Sequence, residues 1–390
     1  MPYNGIMNAS RRIIERAREL GFAAAGVAVV EPMDPAPFRA WLDAGYAAEM
    51  TFLERHLPLR ADLRAVLPGA RSVISVALPY PGPQAEESAV GAVAKFARGA
   101  DYHDVVRERL TLLWDERRRE HPGAEGRVFV DSGPLPEREL ARRAGLGWIG
   151  KHGCLLHPEL GSRFVLGEIL TTLALEPTPS ISGSCGECRR CLDACPTGAL
   201  VAPGTVDARR CLSYLTIEHK GPLPRELRPL LGTRLFGCDA CQDACPHNGA
   251  RDAFDSPLAP AAHLLAPDLP ALLLMSPEDF NRRFRGTALR RAKRRGVLRN
   301  ACVALGNLGD PANILTLRQA LHDAEPLVRG HAAWALGRLG DREALTQALK
   351  DEADHGVREE IELALKAEEQ PEDQQQQQQS GQAERPRRSD

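Results

Sequence analysis

The sequence predicts three architectures joined end to end: an α/β region, a cysteine-rich region with no core of its own, and short helical repeats. Apolar runs of strand length alternate with helical periodicity up to about residue 175. Eight of the ten cysteines then crowd between Cys185 and Cys245. Further on, Ala304-Leu-Gly-Asn-Leu-Gly-Asp310 returns 31 residues later as Ala335-Leu-Gly-Arg-Leu-Gly-Asp341. A length of 390 residues suits two or three domains, and 43% hydrophobic with 26% charged residues is globular composition. The net charge of −2 excludes a uniformly basic nucleic-acid coat, while leaving room for a local basic patch.

Residues 1–175 form the α/β region. A helix is expected over Ala9–Leu20, with Ile13, Ile14, Ala17 and Leu20 on one face and Gly21 as its stop. Strands are expected at Phe22–Val30, Ser72–Leu78, Arg127–Val130 and Arg163–Leu173, with helices at Val105–Arg119 and Glu137–Ala144. Such alternation favours a sheet flanked by helices. Two polar segments resemble site loops. Asp131-Ser-Gly-Pro134 puts a carboxylate at a strand's C-terminal end, where α/β sheets build ligand sites. A turn or helix cap is the alternative role, open to Ser132 as well. Gly145–Lys151 is glycine-rich with a basic end, which suits close backbone approach to a large ligand, and a plain turn is the alternative.

Residues 176–255 have too little apolar material for a core and need an inorganic staple. Cys185, Cys188, Cys191 and Cys195, followed by Pro196, have the C-x2-C-x2-C-x3-C-P spacing of bacterial ferredoxins. Cys238, Cys241 and Cys245, followed by Pro246, form a second run that lacks its first cysteine, and Cys211 is the stand-in. Eight thiolates are what two 4Fe–4S clusters require. By the ferredoxin crossing rule, Cys185, Cys188, Cys191 and Cys245 serve one cluster, and Cys195, Cys211, Cys238 and Cys241 the other. Paired zinc sites are the competing interpretation, and three cysteines at two-residue gaps plus Cys-Pro favour the ferredoxin-like one. Cys302 is expected as a small core residue and Cys154 as a buried inert thiol.

Residues 256–295 connect to the repeats. Between Arg282 and Arg299 nine basic residues stand with no acid among them, including Arg290, Arg291, Lys293, Arg294 and Arg295. The phosphate backbone of a folded RNA would be drawn to such a run, and Lys220 and Arg329 are the expected extensions. Residues 296–367 are expected to be HEAT-like helical repeats, and 368–390 a disordered low-complexity tail. No run of 18 apolar residues exists to span a membrane, and Met1–Arg12 is no signal peptide, so a cytoplasmic protein with reduced thiols is expected.

Over residues 9–366 the chain resembles the epoxyqueuosine reductases. The resemblance rests on Asp131-Ser-Gly-Pro134, Gly145–Lys151, the eight-cysteine layout, Cys211-Leu-Ser-Tyr-Leu-Thr-Ile-Glu218 and Gly237-Cys-Asp-Ala-Cys-Gln242. Asp101-Tyr-His103 and the segment from Arg60 to Leu67-Pro-Gly-Ala-Arg-Ser72 add to it. It implies a cobalamin-dependent enzyme that reduces epoxyqueuosine to queuosine at the wobble position of tRNA, fed with electrons through the clusters by an unidentified reductant.

The resemblance also implies roles. Asp131 matches the proton donor, and burial beside the corrin would keep its carboxyl protonated. Arg60 matches a corrinoid contact, and Ser213 and Thr216 are placed to touch the cofactor or to satisfy a turn. His103 is left as a packed, hydrogen-bonded residue. Three other functions compete: a two-cluster electron carrier, a scaffold, and a corrinoid iron–sulfur reductase of a small molecule. The last needs neither repeats nor an arginine run.

Overall fold

The computed structural model of the chain describes residues 3–82, 91–249 and 256–366, with side chains from Ala9 onward. The tail expected at 368–390 lies outside the described residues. Each expected strand and helix of the N-terminal region forms: α1 (Tyr3–Glu19), β1 (Ala24–Val29), β2 (Ser72–Pro79), α2 (Tyr102–Glu120), β3 (Gly126–Phe129), α3 (Glu137–Arg143) and β4 (Phe164–Thr171). The sheet order is β1-β2-β4-β3 and every pairing is antiparallel. Long connections let each strand return in either sense, so helices between strands did not force a parallel sheet. Asp131 therefore follows an edge strand of an antiparallel sheet.

The sheet alternates its faces. Ile74, Val76 and Leu78 of β2 pack with Ile13 and Ala17 of α1 and with Val106, Leu110 and Leu113 of α2. On the other face α3 lays Leu140 against Val73 and Leu170, and Ala141 and Ala144 against Ala24, Ala28 and Ala77. This second contact is close: a Cβ on Gly26 would lie 1.9 Å from the Ala144 carbonyl oxygen. Gly26, Ser75, Glu168 and Phe129 are cross-strand partners in one row under α3.

The cysteine-rich region is built from two short helices, Arg190–Asp193 and Ala240–Asp243, that pack on each other. It is clamped from both sides. Toward the sheet, Arg163 donates to Asp243 at 3.0 Å and Gln242 to the Ser162 carbonyl at 2.8 Å, while buried Lys95 donates to Asp243 at 2.9 Å. Toward the C-terminus, Leu212 and Leu215 of α4 (Leu212–Ile217), with Leu235 and Phe236, join one continuous core with Val297, Leu298 and Ala301 of α5 (Lys293–Leu308). The region lacks a core and borrows that of the repeats.

The repeats continue with α6 (Ile314–Ala320), α7 (Pro326–Arg338), α8 (Arg342–Asp351) and α9 (His355–Lys366). Their shared heptapeptide has a packing reason. A Cβ on Gly306 would stand 2.9 Å from Ala335, and one on Gly337 2.8 Å from Ala364, so the same helix crossing recurs one repeat later. Asp310 and Asp341 then cap the helices that follow, accepting from Ala312 N and Ala344 N.

Two buried residues bolt α5 to the cysteine region. Arg299 donates to the carbonyls of Leu215, His219 and Gly221 at 2.6–2.8 Å, and Asn300 to those of Thr216 and Leu235 at 2.9 and 2.8 Å. Arg299 is thus no part of the basic surface in which the sequence placed it. Burial pushes its guanidinium down to about 9. Replacing it in Arg299→Met is expected to cost at least about 2 kcal/mol, because three carbonyls lose a buried donor. Denaturant unfolding of the cluster-loaded protein, followed by cluster absorbance, measures this; an unshifted midpoint would make the guanidinium dispensable.

Candidate functional site

The thiols gather into the two expected foursomes. Cys185, Cys188, Cys191 and Cys245 line one small pocket, joined by His152 and His247. Cys195, Cys211, Cys238 and Cys241 face one another in the second group. Each foursome draws cysteines from both motifs because the two short helices pack side by side. Burial, and then the neighbouring thiols, push the Cys241 thiol up, so this thiol resists ionisation until a cation is bound. Lys151 fixes the first loop by donating to the carbonyls of Gly186 at 2.6 Å and Cys188 at 3.0 Å. Cys154 was expected to be merely inert. Its thiol is indeed pushed up by burial, yet it faces Cys211 and Cys245, one from each foursome.

Asp131 stands 62% exposed by side chain, in the left-handed region at φ 52°. The protein's own groups leave this side chain open to solvent. Its Oδ2 accepts from the Tyr102 hydroxyl at 2.5 Å, and its backbone N–H donates to Glu137 Oε1 at 2.7 Å. Its side chain therefore points at Tyr102, while the α3 N-cap position is taken by Pro136. Burial, and then the Asp131 charge, push the Tyr102 phenol upward, so it remains a donor. His103 packs on Tyr102 with ring centroids 4.1 Å apart and hydrogen-bonds Asp101 at 2.7 Å, leaving Nε2 3.8 Å from Asp131. Beside them opens a cleft of about 320 Å³ lined by Asp101, His103, Thr287, Arg290 and Arg291. That volume is at the lower end for small-ligand sites.

A second wall lies near Arg60. Helices Ala36–Asp43 and Phe52–Arg55 contain no fully buried residue although they carry Phe38, Trp41, Leu42, Phe52 and Leu53. Arg60 stacks on Phe38 at 4.8 Å and donates to the Leu135 carbonyl at 3.0 Å; burial, then Arg138, lowers its guanidinium. Trp41 donates to the Val206 carbonyl, and the Glu49 amide donates to the Tyr214 hydroxyl, which fixes this wall to the cysteine region. An apolar wall with one or two polar handles suits a flat cofactor. Ser213 is half-buried at the start of α4. Thr216 needs correction: it is fully buried, donating to the Leu212 carbonyl and accepting from Gly237 N, so its hydroxyl satisfies the turn and reaches no cofactor surface.

The basic run divides. Lys220, Arg290, Arg291 and Lys293 are exposed and Arg295 half-buried, and Arg291 also pairs with Glu218 at 2.7 Å. Arg294 and Arg329 are withdrawn from the surface role expected of them. Arg294 pairs with buried Asp323 at 2.6 Å, and Arg329 with buried Glu352 at 2.7 Å, between helices of the repeats. Sequence reasoning also missed Glu137 and Glu168, whose only trace is a Glu within the apolar run Phe164-Val-Leu-Gly-Glu-Ile-Leu-Thr171.

Comparison with known proteins completes the site. The family described as "Epoxyqueuosine reductase QueG, DUF1730" matches residues 60–132, "4Fe-4S double cluster binding domain" matches 184–248, and "HEAT repeats" matches 284–366. The chain is 41% identical to the epoxyqueuosine reductase of Escherichia coli K12 over 341 residues, covering 85% of this chain and 90% of that protein. It is 44% identical to that of Alicycliphilus denitrificans over 350 residues, covering 84% and 97% respectively. A crystal structure of epoxyqueuosine reductase with an epoxyqueuosine-modified tRNA-Tyr stem loop superposes with a TM-score of 0.87 at 36% identity, covering 92% of this chain and 98% of that one. The Bacillus subtilis enzyme, with its catalytic aspartate loop swung out of the active site, gives 0.86 at 34% identity over the same shares.

Two outcomes follow from this geometry. Cys211→Ala should reduce bound iron to roughly half, read by iron assay, since one of the two clusters loses a ligand; full iron content would remove Cys211 from the set. Replacing Arg290, Lys293 and Arg295 together by Ala should flatten the salt dependence of tRNA binding by about 2 in the log–log slope, from roughly 0.7–0.9 per lost phosphate contact. Arg294→Ala and Arg329→Ala should leave that slope unchanged and lower thermal stability instead.

Proposed function

The chain belongs to the epoxyqueuosine reductase family, and on that premise we propose that it reduces epoxyqueuosine to queuosine in tRNA. It is an oxidoreductase. Removing the epoxide oxygen takes two electrons and two protons and yields an alkene and water. The observation that carries the proposal is the meeting, within one chain, of two thiol foursomes, an aspartate held by a tyrosine beside an open cleft, and exposed arginines on the rim of that cleft. When bound, the clusters pass single electrons and cobalamin supplies the cobalt centre at which they meet the substrate.

The residues divide the remaining work. Asp131 gives a proton to the epoxide oxygen as its C–O bond breaks, which spares a leaving group of full negative charge. Tyr102 fixes the carboxyl that does so. The apolar wall from Phe38 to Leu53, with Arg60, Ser213 and the Asp131 loop, is the proposed seat of cobalamin, and its half-buried aromatic surface supports that role. Lys220, Arg290, Arg291, Lys293 and Arg295 are the proposed phosphate contacts, and a base splayed from its stack would enter the cleft between His103 and Thr287.

The proposed division of labour runs 1–175 for cobalamin and catalysis, 176–255 for the clusters, 256–295 as basic connector and 296–367 as repeats. Among the described residues no helix is long and apolar enough to cross a membrane, and a cytoplasmic site, where charged tRNA and a low-potential reductant are at hand, is proposed.

The test is turnover. The protein is loaded anaerobically with iron, sulfide and cobalamin and given a strong reductant and tRNA bearing epoxyqueuosine, and the digested nucleosides are weighed by mass spectrometry. Queuosine should form only with cobalamin present. Its absence from protein with verified iron and cobalt would overturn the proposal. Asp131→Asn should keep cobalt and iron while losing about 10²-fold or more of turnover, the usual share of a positioned acid; undiminished turnover would end its role.

A further inference from the structure

Glu168 is an unusual residue for the middle of a sheet. It is 0% exposed on β4, between Ser75 and Phe129 in the row beneath α3. Neither of its carboxyl oxygens meets an N–H or O–H donor among the described residues, and the Ser75 hydroxyl beside it is equally unpaired. The carboxyl that meets it is that of Glu137, on the first turn of α3. Two carboxylates in contact away from water repel, so this contact is a hydrogen bond only if one of them carries a proton. Glu168, with no other partner, is the one that must. Glu137 Oε1 then accepts from the Asp131 N–H at 2.7 Å, and Asp131 sits at a positive φ that no glycine relieves.

We propose that Glu137 and Glu168 share one proton as a latch on the Asp131 loop: Glu137 is the positioning residue that holds the Asp131 backbone, and Glu168 supplies the proton that keeps Glu137 in place. The role rests on Asp131 being the proton donor of the reaction. A charged Glu137 pairs better with the Asp131 amide than a neutral one, because charge-assisted hydrogen bonds are the stronger kind. Burial first, and then the Asp131 charge, push Glu137 up to about 7, against the Asp131 N–H, the Glu168 contact and the Arg60 charge, which favour ionisation. Burial, and then Glu137, hold Glu168 well above its usual range. The other charged or titratable groups around the loop are Asp101 before α2, Tyr102, His103 and Arg107 on α2, the last reaching Ser132 Oγ at 3.4 Å, Arg138 on α3 and Arg291 across the cleft. The sign follows: the latch is closed above about pH 7 and weakens as Glu137 takes up a proton below it.

Hydrogen exchange at the Asp131 amide, in the full chain loaded with iron and sulfide, reads the latch without turnover. After division by the intrinsic exchange rate, wild-type protection should fall as pH drops through about 7. Glu168→Gln retains a donor and should keep both protection and midpoint. Glu168→Leu removes the donor and should lose about tenfold or more of the protection at pH 8, with its midpoint moved upward. Glu137→Gln keeps an acceptor but cannot ionise, so its protection should no longer vary with pH. In turnover, Glu168→Leu should lower kcat with KM unchanged.

Wild-type protection and midpoint in Glu168→Leu would overturn the proposal, as would a Glu137→Gln protein that still titrates near 7. Should Glu168→Leu fail to take up iron, the two Gln variants decide. Full turnover of Asp131→Asn would strike at the acid role alone, because the exchange result stands apart from chemistry.

Discussion

Eight thiols must be held at fixed separations by a stretch of chain that cannot bury a core, and the rest of the molecule answers to that constraint. The sheet side grips the cysteine region through charged and amide side chains: Lys95 and Arg163 reach Asp243, and Gln242 reaches back to the Ser162 carbonyl. The repeats grip it through apolar surface and through Arg299 and Asn300. Polar bonds set position and burial supplies cohesion, so the region is rigid although it is built of turns. Iron would add to that cohesion, as metals do in small domains that lack a core.

Charge is apportioned around the cleft in a way that suits an RNA substrate and an acid-dependent step. Arginines face the solvent on one rim, while carboxyls retreat into the sheet behind Asp131. The buried pair is a stability cost above acidic pH: an acid raised within the fold takes up more protons there than when unfolded, so the fold loses stability as pH climbs from the usual carboxylate range toward 7. Such expense fits a group retained for what it does at Asp131.

What could be read from the sequence was whatever local spacing fixes. Cysteines three residues apart are set by one turn of chain, and the repeats announced themselves because Gly306 and Gly337 make the same crossing. The strands and helices of the sheet were also plain, since their apolar periods are local. The antiparallel order was not, because it depends on partners a hundred residues apart. A run of nine basic residues gave charge but no direction: Arg299 turned inward, Arg294 found Asp323, and Arg290 stayed out. Glu137 and Glu168 were invisible as a pair because only folding sets α3 over β4.

Asn300 holds the Thr216 carbonyl, downstream of Cys211, and the Leu235 carbonyl, upstream of Cys238, with the same amide group. A ribosome delivers it after all eight of the clustered cysteines have emerged. The nascent chain therefore exposes all eight of these thiols before it owns the helix that braces the segment between Cys211 and Cys238. A chain cut short before α5 would carry all eight of these cysteines and still lack that brace and the core they share with the repeats.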